Sequence, residues 1–162
     1  MNRLSILSFA LALTVIPAQA DQTISYPENN PVFSISFPDG WKVEAGESVS
    51  ASSPDDLVNM ELIALEAEAL DGAIDMAKES LNEELKDIKF LGEPEEGELN
   101  GMKVTFLNGQ VTVEGVKMAV NCALFVPKQA KTFFMLFNLV PLDALKQHGD
   151  DVSKVLNSIK AK

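Results

Sequence analysis

Two neighbouring runs narrow what this chain can fold into more than anything else in it. In residues 116–126, Val116, Met118, Val120, Cys122, Leu124 and Val126 share one parity, with Lys117 and Asn121 on the other. Such alternation puts one face of a strand on a core. After a Pro127-Lys128-Gln129-Ala130-Lys131 loop, residues 132–140 are apolar almost throughout. That run is too short to span a membrane. Phe133, Phe134 and Phe137, with turn signals on each side, favour a strand over a helix. A strand that is apolar on both sides needs cover on both faces. The chain must therefore build a sheet with packing above and below it, and its other segments must supply that cover.

Two amphipathic segments can do so. Ile74, Ala77, Leu81, Leu85 and Ile88 recur at helical spacing, with Lys78, Glu79, Asn82, Glu83 and Lys86 on the far side and Asp71 placed as N-cap. Residues 142–160 close the chain as a second helix with a stripe of Leu145, Val152, Val155, Leu156 and Ile159. Gly149 is its weak point, and Asp150 is a cap that could restart it. Strands are expected at 33–37, 41–43, 57–66 and 102–113. Residues 21–31 read as a flexible lead-in, 48–56 as a polar stretch and 93–98 as an acidic loop. In the 102–113 strand the apolar parity changes, from Met102, Val104 and Phe106 to Val111 and Val113. A uniform strand keeps one parity, so a bulge is expected at Asn108-Gly109 in preference to a second hairpin there. The fold class is α+β, an antiparallel sheet flanked by helices.

The N-terminus sets the compartment. A short head of Met1, Asn2 and Arg3 precedes an apolar run over residues 4–16, then Pro17 and the small-x-small site Ala18-Gln19-Ala20. These are the three parts of an export signal. The expected product starts at Asp21 and works in the periplasm or as a secreted, soluble protein without stable membrane insertion. Past the signal no arginine remains, and 12 lysines face 24 acids. That balance argues against nucleic acid, which is bound by Lys/Arg patches, and against docking on anionic lipid surfaces. A charge-steered protein partner would be basic. With Cys122 as the only cysteine, no internal disulfide can form and the fold rests on its core. The parity of Cys122 buries it.

The inventory of reactive groups is thin. His148 is the only histidine, so any Ser/His/Asp set must use it, and a boundary histidine on the last helix is the simpler reading. No Gly-x-Ser-x-Gly elbow, dinucleotide fingerprint or phosphate loop is present. Carboxylates remain. Glu95, Glu96 and Glu98, beside Glu93, are candidate ligands for a hard cation such as calcium, although their spacing does not follow an EF-hand loop. Asp55-Asp56 and Asp150-Asp151 are further acidic pairs.

The stretch Phe33-Ser34-Ile35-Ser36-Phe37-Pro38-Asp39-Gly40-Trp41 resembles the opening strand and Pro-x-Gly-Trp turn of the PsbP-like superfamily, which includes bacterial DcrB-like periplasmic proteins and a nuclear Ran-binding protein. The order downstream is similar as well: a strand, a helix, Leu99-Asn100-Gly101, a long hairpin with Glu114-Gly115 at its tip, an apolar strand and a final helix, over roughly residues 32–160. The resemblance implies an α/β/α sandwich in a single domain over residues 32–162. It carries no functional residue to a position here. DcrB-like relatives often have a lipobox cysteine where this chain has Asp21, so tethering is not implied. The expected function is that of an exported, non-catalytic envelope protein that binds a protein partner or a small ligand, with no cofactor. The alternative is a carboxylate-dependent hydrolase or a calcium-binding protein.

Overall fold

A computed structural model describes residues 21–162; the expected signal segment, residues 1–20, lies outside the described residues. The chain runs β1 (Gln22–Tyr26), β2 (Phe33–Phe37), β3 (Lys42–Ala45), β4 (Val49–Ser52), β5 (Asn59–Leu65), α1 (Leu70–Glu84), β6 (Lys89–Phe90), β7 (Glu95–Leu99), β8 (Met102–Val113), β9 (Val116–Phe125), β10 (Phe133–Pro141), α2 (Leu145–Asn157) and β11 (Lys160–Ala161). The main sheet has the order β3-β4-β5-β10-β9-β8-β6, and β7 shares the outer edge of β8 with β6. Its pairings are antiparallel throughout. A small sheet, β1-β2-β11, forms separately.

The apolar strand β10 sits at the centre of the main sheet, as its sequence requires. Phe134 and Leu136 face one core, and Met135 and Phe137 face the other. One face is covered by α1 through Ala73, Ala77 and Leu81, all fully buried. The opposite face is covered by α2 together with the small sheet. There Phe33 of β2 meets Phe125 and Phe134 edge-on, at centroid distances of 5.1 and 4.9 Å. This is the expected sandwich, with the small sheet and α2 sharing one layer. The C-terminal end of α2 is tied down twice. Ser158 Oγ accepts from the Ser36 amide at 2.8 Å, and Asn100 Nδ2 donates to the Asn157 and Ile159 carbonyls at 2.8 and 2.7 Å.

Several local expectations are corrected. Within the lead-in, Gln22–Tyr26 is a strand paired along its length with β2. The turn residues Pro27 to Pro31 only join the two strands. The polar stretch 48–56 contains β4, whose Val49 and Ala51 are buried while Ser50 faces out. The acidic segment is a strand, β7, held by five register pairs to β8. Asp71 is not the N-cap of α1. Ala69 holds that position without a side-chain cap, and Asp71 lies in the first turn, where a negative charge still favours the helix dipole. Gly149 does not interrupt α2, which ends at Asn157 before β11.

The expected bulge is absent. Strand β8 pairs with β9 in unbroken register through Asn108↔Asn121 and Gly109↔Val120, as far as Val113↔Val116. The parity changes because the cover changes. Met102 and Val104 pack toward the α2 side, whereas Leu107 and Val111 pack toward α1. The long strand runs out from under one layer and continues under the other, so each half is apolar on a different face. Gly109 has an ordinary backbone: the left-handed glycines are Gly40, Gly92, Gly101 and Gly115. Its hydrogen is needed for space. A Cβ there would lie 3.2 Å from both Ile88 Cδ1 and the Lys89 carbonyl oxygen. The true turns are the two-residue ones, Asn100-Gly101 and Glu114-Gly115, all four residues at positive φ, as the right-handed twist of paired strands requires.

Candidate functional site: a cleft under the first helix

The structure brings Ser53, Asp55 and His148 together, joining the β4–β5 loop to α2. Ser53 Oγ donates to Asp55 Oδ1 at 2.6 Å, and the Leu57 amide donates to the same oxygen at 3.3 Å. His148 Nε2 lies 2.9 Å from Asp55 Oδ2. The ring N–H is poorly aligned with that oxygen, and Nδ1 has no partner among the described residues. The order of contacts is wrong for a nucleophile. The serine proton goes to the carboxylate, and the histidine approaches the carboxylate rather than the serine. Ser53 Oγ also accepts from the Val58 amide at 3.0 Å and the residue is 2 % exposed. A hydroxyl so placed fixes a loop and cannot meet a substrate. The carboxyl of Asp55 is held below its ordinary value, first by the Ser53 hydroxyl and then by the Leu57 amide and His148, against the opposing effect of burial. Thus His148 is buried within α2 instead of sitting at a helix boundary.

The candidate metal ligands do not converge. Register places Glu95 and Gly97 opposite Phe106 and Val104, whereas Glu96 and Glu98 lie opposite Thr105 and Lys103. Glu95 therefore points to one face of the sheet and Glu96 and Glu98 to the other. All three are exposed. Among the described residues no group of three or more His, Cys, Asp or Glu side chains is arranged to hold a metal ion.

A recess of about 240 Å³ lies near the C-terminal end of α1, lined in part by Lys42, Glu44, Glu61 and Glu84. Burial first, then the Glu61 charge, pushes the Glu84 carboxyl up. Cys122 is 2 % exposed, and burial pushes its thiol up to about 12. It is a small apolar core residue, not a nucleophile.

A roomier concavity lies at the other end of α1. It encloses about 490 Å³ between the start of that helix and the sheet, lined by Leu70, Gly101, Met102, Lys103, Thr105, Leu124, Phe125, Val126, Lys128 and Phe133. Lys103 and Thr105 of β8, Leu124 of β9 and Phe133 of β10 project to the α1 side, by the same alternation that buries Cys122. The cleft exists because α1 begins only at Leu70 and leaves the first residues of β8 and the last of β9 uncovered. Sequence reasoning named these residues as strand and loop but missed the cleft. Its only signal is that Leu124, Val126 and Phe133 are apolar on the helix face beyond the reach of the helical stripe. Among the described residues, no helix is long and apolar enough to cross a membrane.

An antiparallel sheet with one helix on one face, and a helix and a small sheet on the other, defines the PsbP-like fold. Among solved structures the chain is similar to the solution structure of cyanobacterial PsbP (CyanoP) from Synechocystis sp. PCC 6803. The TM-score is 0.67 at 12% identity, over 94% of this chain and 99% of that one. It is similar to LpqN of Mycobacterium tuberculosis, described as involved in cell envelope biogenesis, at TM-score 0.55 and 15% identity, over 86% and 90% of the two chains. The Ran-binding protein Mog1p of Saccharomyces cerevisiae matches at TM-score 0.56 and 9% identity, over 89% and 96%. At these identities the likeness is one of fold. No protein-family model matches the chain, and no curated protein matches it by sequence.

Proposed function

We propose that this chain is an exported envelope protein that works by binding, and that it holds its ligand in the cleft under the N-terminal end of α1. The cleft carries the reading. It falls in the range of about 300–1,000 Å³ typical of small-molecule sites, with apolar walls and a few polar groups. The one Ser/Asp/His grouping is wired as a structural tie, which fits binding better than hydrolysis. The export signal in residues 1–20 supports a periplasmic or secreted setting like that of DcrB-like proteins, with cleavage between Ala20 and Asp21 and a single domain that includes β1. The names of the similar folds agree in kind: LpqN is tied to envelope biogenesis and Mog1p to protein binding.

The test is native mass spectrometry of the protein recovered from its exporting host. The expected result is a polypeptide starting at Asp21 that carries a non-covalent small molecule, lost when Phe133→Ala opens the cleft wall. A retained Met1, an added lipid mass, or a ligand-free protein under gentle desolvation would overturn the reading.

A protein partner has its own supporting observation. Strand β7 pairs with β8 on one side, which leaves its outer edge unpaired among the described residues, and the exposed Glu95, Glu96 and Glu98 flank that edge on the two faces of the strand. A basic segment docking there would bind less tightly as salt rises. Replacing the three acids together with glutamine should abolish that salt dependence. Unchanged binding would exclude this edge.

A further inference from the structure

Resting on the reading of the cleft as a ligand site, we infer that its occupant is a long-chain carboxylate: a single alkyl chain with one anionic head. Three observations lead there. The first is the lining. Leu70, Leu124, Val126 and Phe133 give it apolar walls that suit a hydrocarbon chain, whose burial contributes roughly 0.8 kcal/mol per methylene.

The second is charge. Acids outnumber bases in the whole chain 24 to 13, yet the only two charged residues lining this cleft are Lys103 and Lys128. Both are exposed, and neither forms a salt bridge among the described residues. Lys103 stands opposite Glu98 in the β7–β8 register without an ion-pair contact to it. Lysine stems can extend an apolar wall while their ammonium groups stay at the water boundary. That places two cations, neither in a close ion pair among the described residues, where the head of a bound amphiphile would emerge. The overall negative charge would repel an anionic membrane surface, so the ligand is taken up as a single molecule rather than by docking on a bilayer.

The third is the backbone. The strands that floor the cleft, β8, β9 and β10, are bonded to neighbours on both sides. A peptide laid across them would find no free edge for its own amides. An alkyl chain needs none.

The experiment is isothermal titration of the purified protein with hexadecanoate, kept below its micelle concentration, beside hexadecan-1-ol and hexadecyl phosphate. Hexadecanoate should bind at one site per chain, about tenfold more tightly than the alcohol, since two exposed charge contacts contribute roughly that much together. The paired substitution K103Q/K128Q, at exposed positions that leave the thermal melt unchanged, should bring hexadecanoate down to the level of the alcohol. Phe133→Ala should weaken acid and alcohol alike. The inference falls if hexadecanoate does not bind, if the alcohol binds as tightly as hexadecanoate, if K103Q/K128Q holds hexadecanoate as tightly as the unsubstituted protein, or if only the phosphate binds. In those cases a co-purified ligand that is lost in Phe133→Ala would leave the binding reading standing. Failure of both experiments would remove both.

Discussion

Replacing Gly109 tests why the parity of β8 changes. If the glycine served a bulge, its role would be conformational. The structure makes it a spacer under the segment that follows α1. In a β-region backbone, Gly→Ala stabilises by about 0.4–1 kcal/mol through the unfolded chain. Here the added methyl would lie 3.2 Å from Ile88 Cδ1, 3.3 Å from Ile88 Cγ1 and 3.2 Å from the Lys89 carbonyl oxygen. The Ile88 side chain can rotate away, but the carbonyl belongs to the Lys89↔Gln110 and Phe90↔Gly109 pairing and can retreat only by loosening β6. Overpacking of this kind costs about 1–3 kcal/mol, so the net expectation for Gly109→Ala is a loss of about 1–2 kcal/mol. For a chain of this size each kcal/mol moves the melting temperature by about 3–4 °C. Urea unfolding of Gly109→Ala, Ile88→Val and the double variant forms a cycle. Ile88→Val removes the Cδ1 contact and should cost about 0.5–1.5 kcal/mol alone. In the double variant the two losses should fall short of additivity by about 0.5–1 kcal/mol. A stabilising Gly109→Ala, or additive effects within error, would refute the close-approach reasoning.

Three further outcomes are expected. Glu84 has a carboxyl raised by burial and by Glu61, so in this fold its ionisation opposes stability as pH rises through the carboxylate range; Glu84→Gln should raise the melting temperature at pH 7 and leave it unchanged near pH 4, and equal shifts at both pH values would refute this. Asp55 has the opposite sign: its carboxyl is lowered chiefly by Ser53, so its contribution is present above the ordinary value of 3.8 and lost as pH falls through the lower folded value. Asp55→Asn should therefore flatten the acid limb of the stability profile measured by urea midpoint, and an unchanged limb would count against the Ser53–Asp55–His148 tie. Cys122, with its thiol pushed up to about 12, should react with a thiol reagent only at the rate of unfolding, which stopped-flow labelling in native buffer and in urea compares; fast native labelling would contradict its burial.

What the sequence alone determined was the identity and the sides of the central strands. The apolar run of β10 and the alternation of β9 depend on a period of two that survives any context, so two covered faces and a buried Cys122 could be read directly. The Asn100-Gly101 and Glu114-Gly115 turns were legible for the same local reason, because few residues tolerate positive φ. What only the tertiary structure decided was where each covering layer stops. The end of the α2 layer reverses the parity of β8, and the sequence read that reversal as a bulge. The start of α1 at Leu70 leaves the cleft open beside Lys103 and Phe133. Pairing with β8 makes a strand of the acidic residues Glu95 to Glu98, whose own propensities favour a loop. Cover and pairing are long-range contacts, and a residue's nearest neighbours in the chain carry no record of which distant element will lie over it.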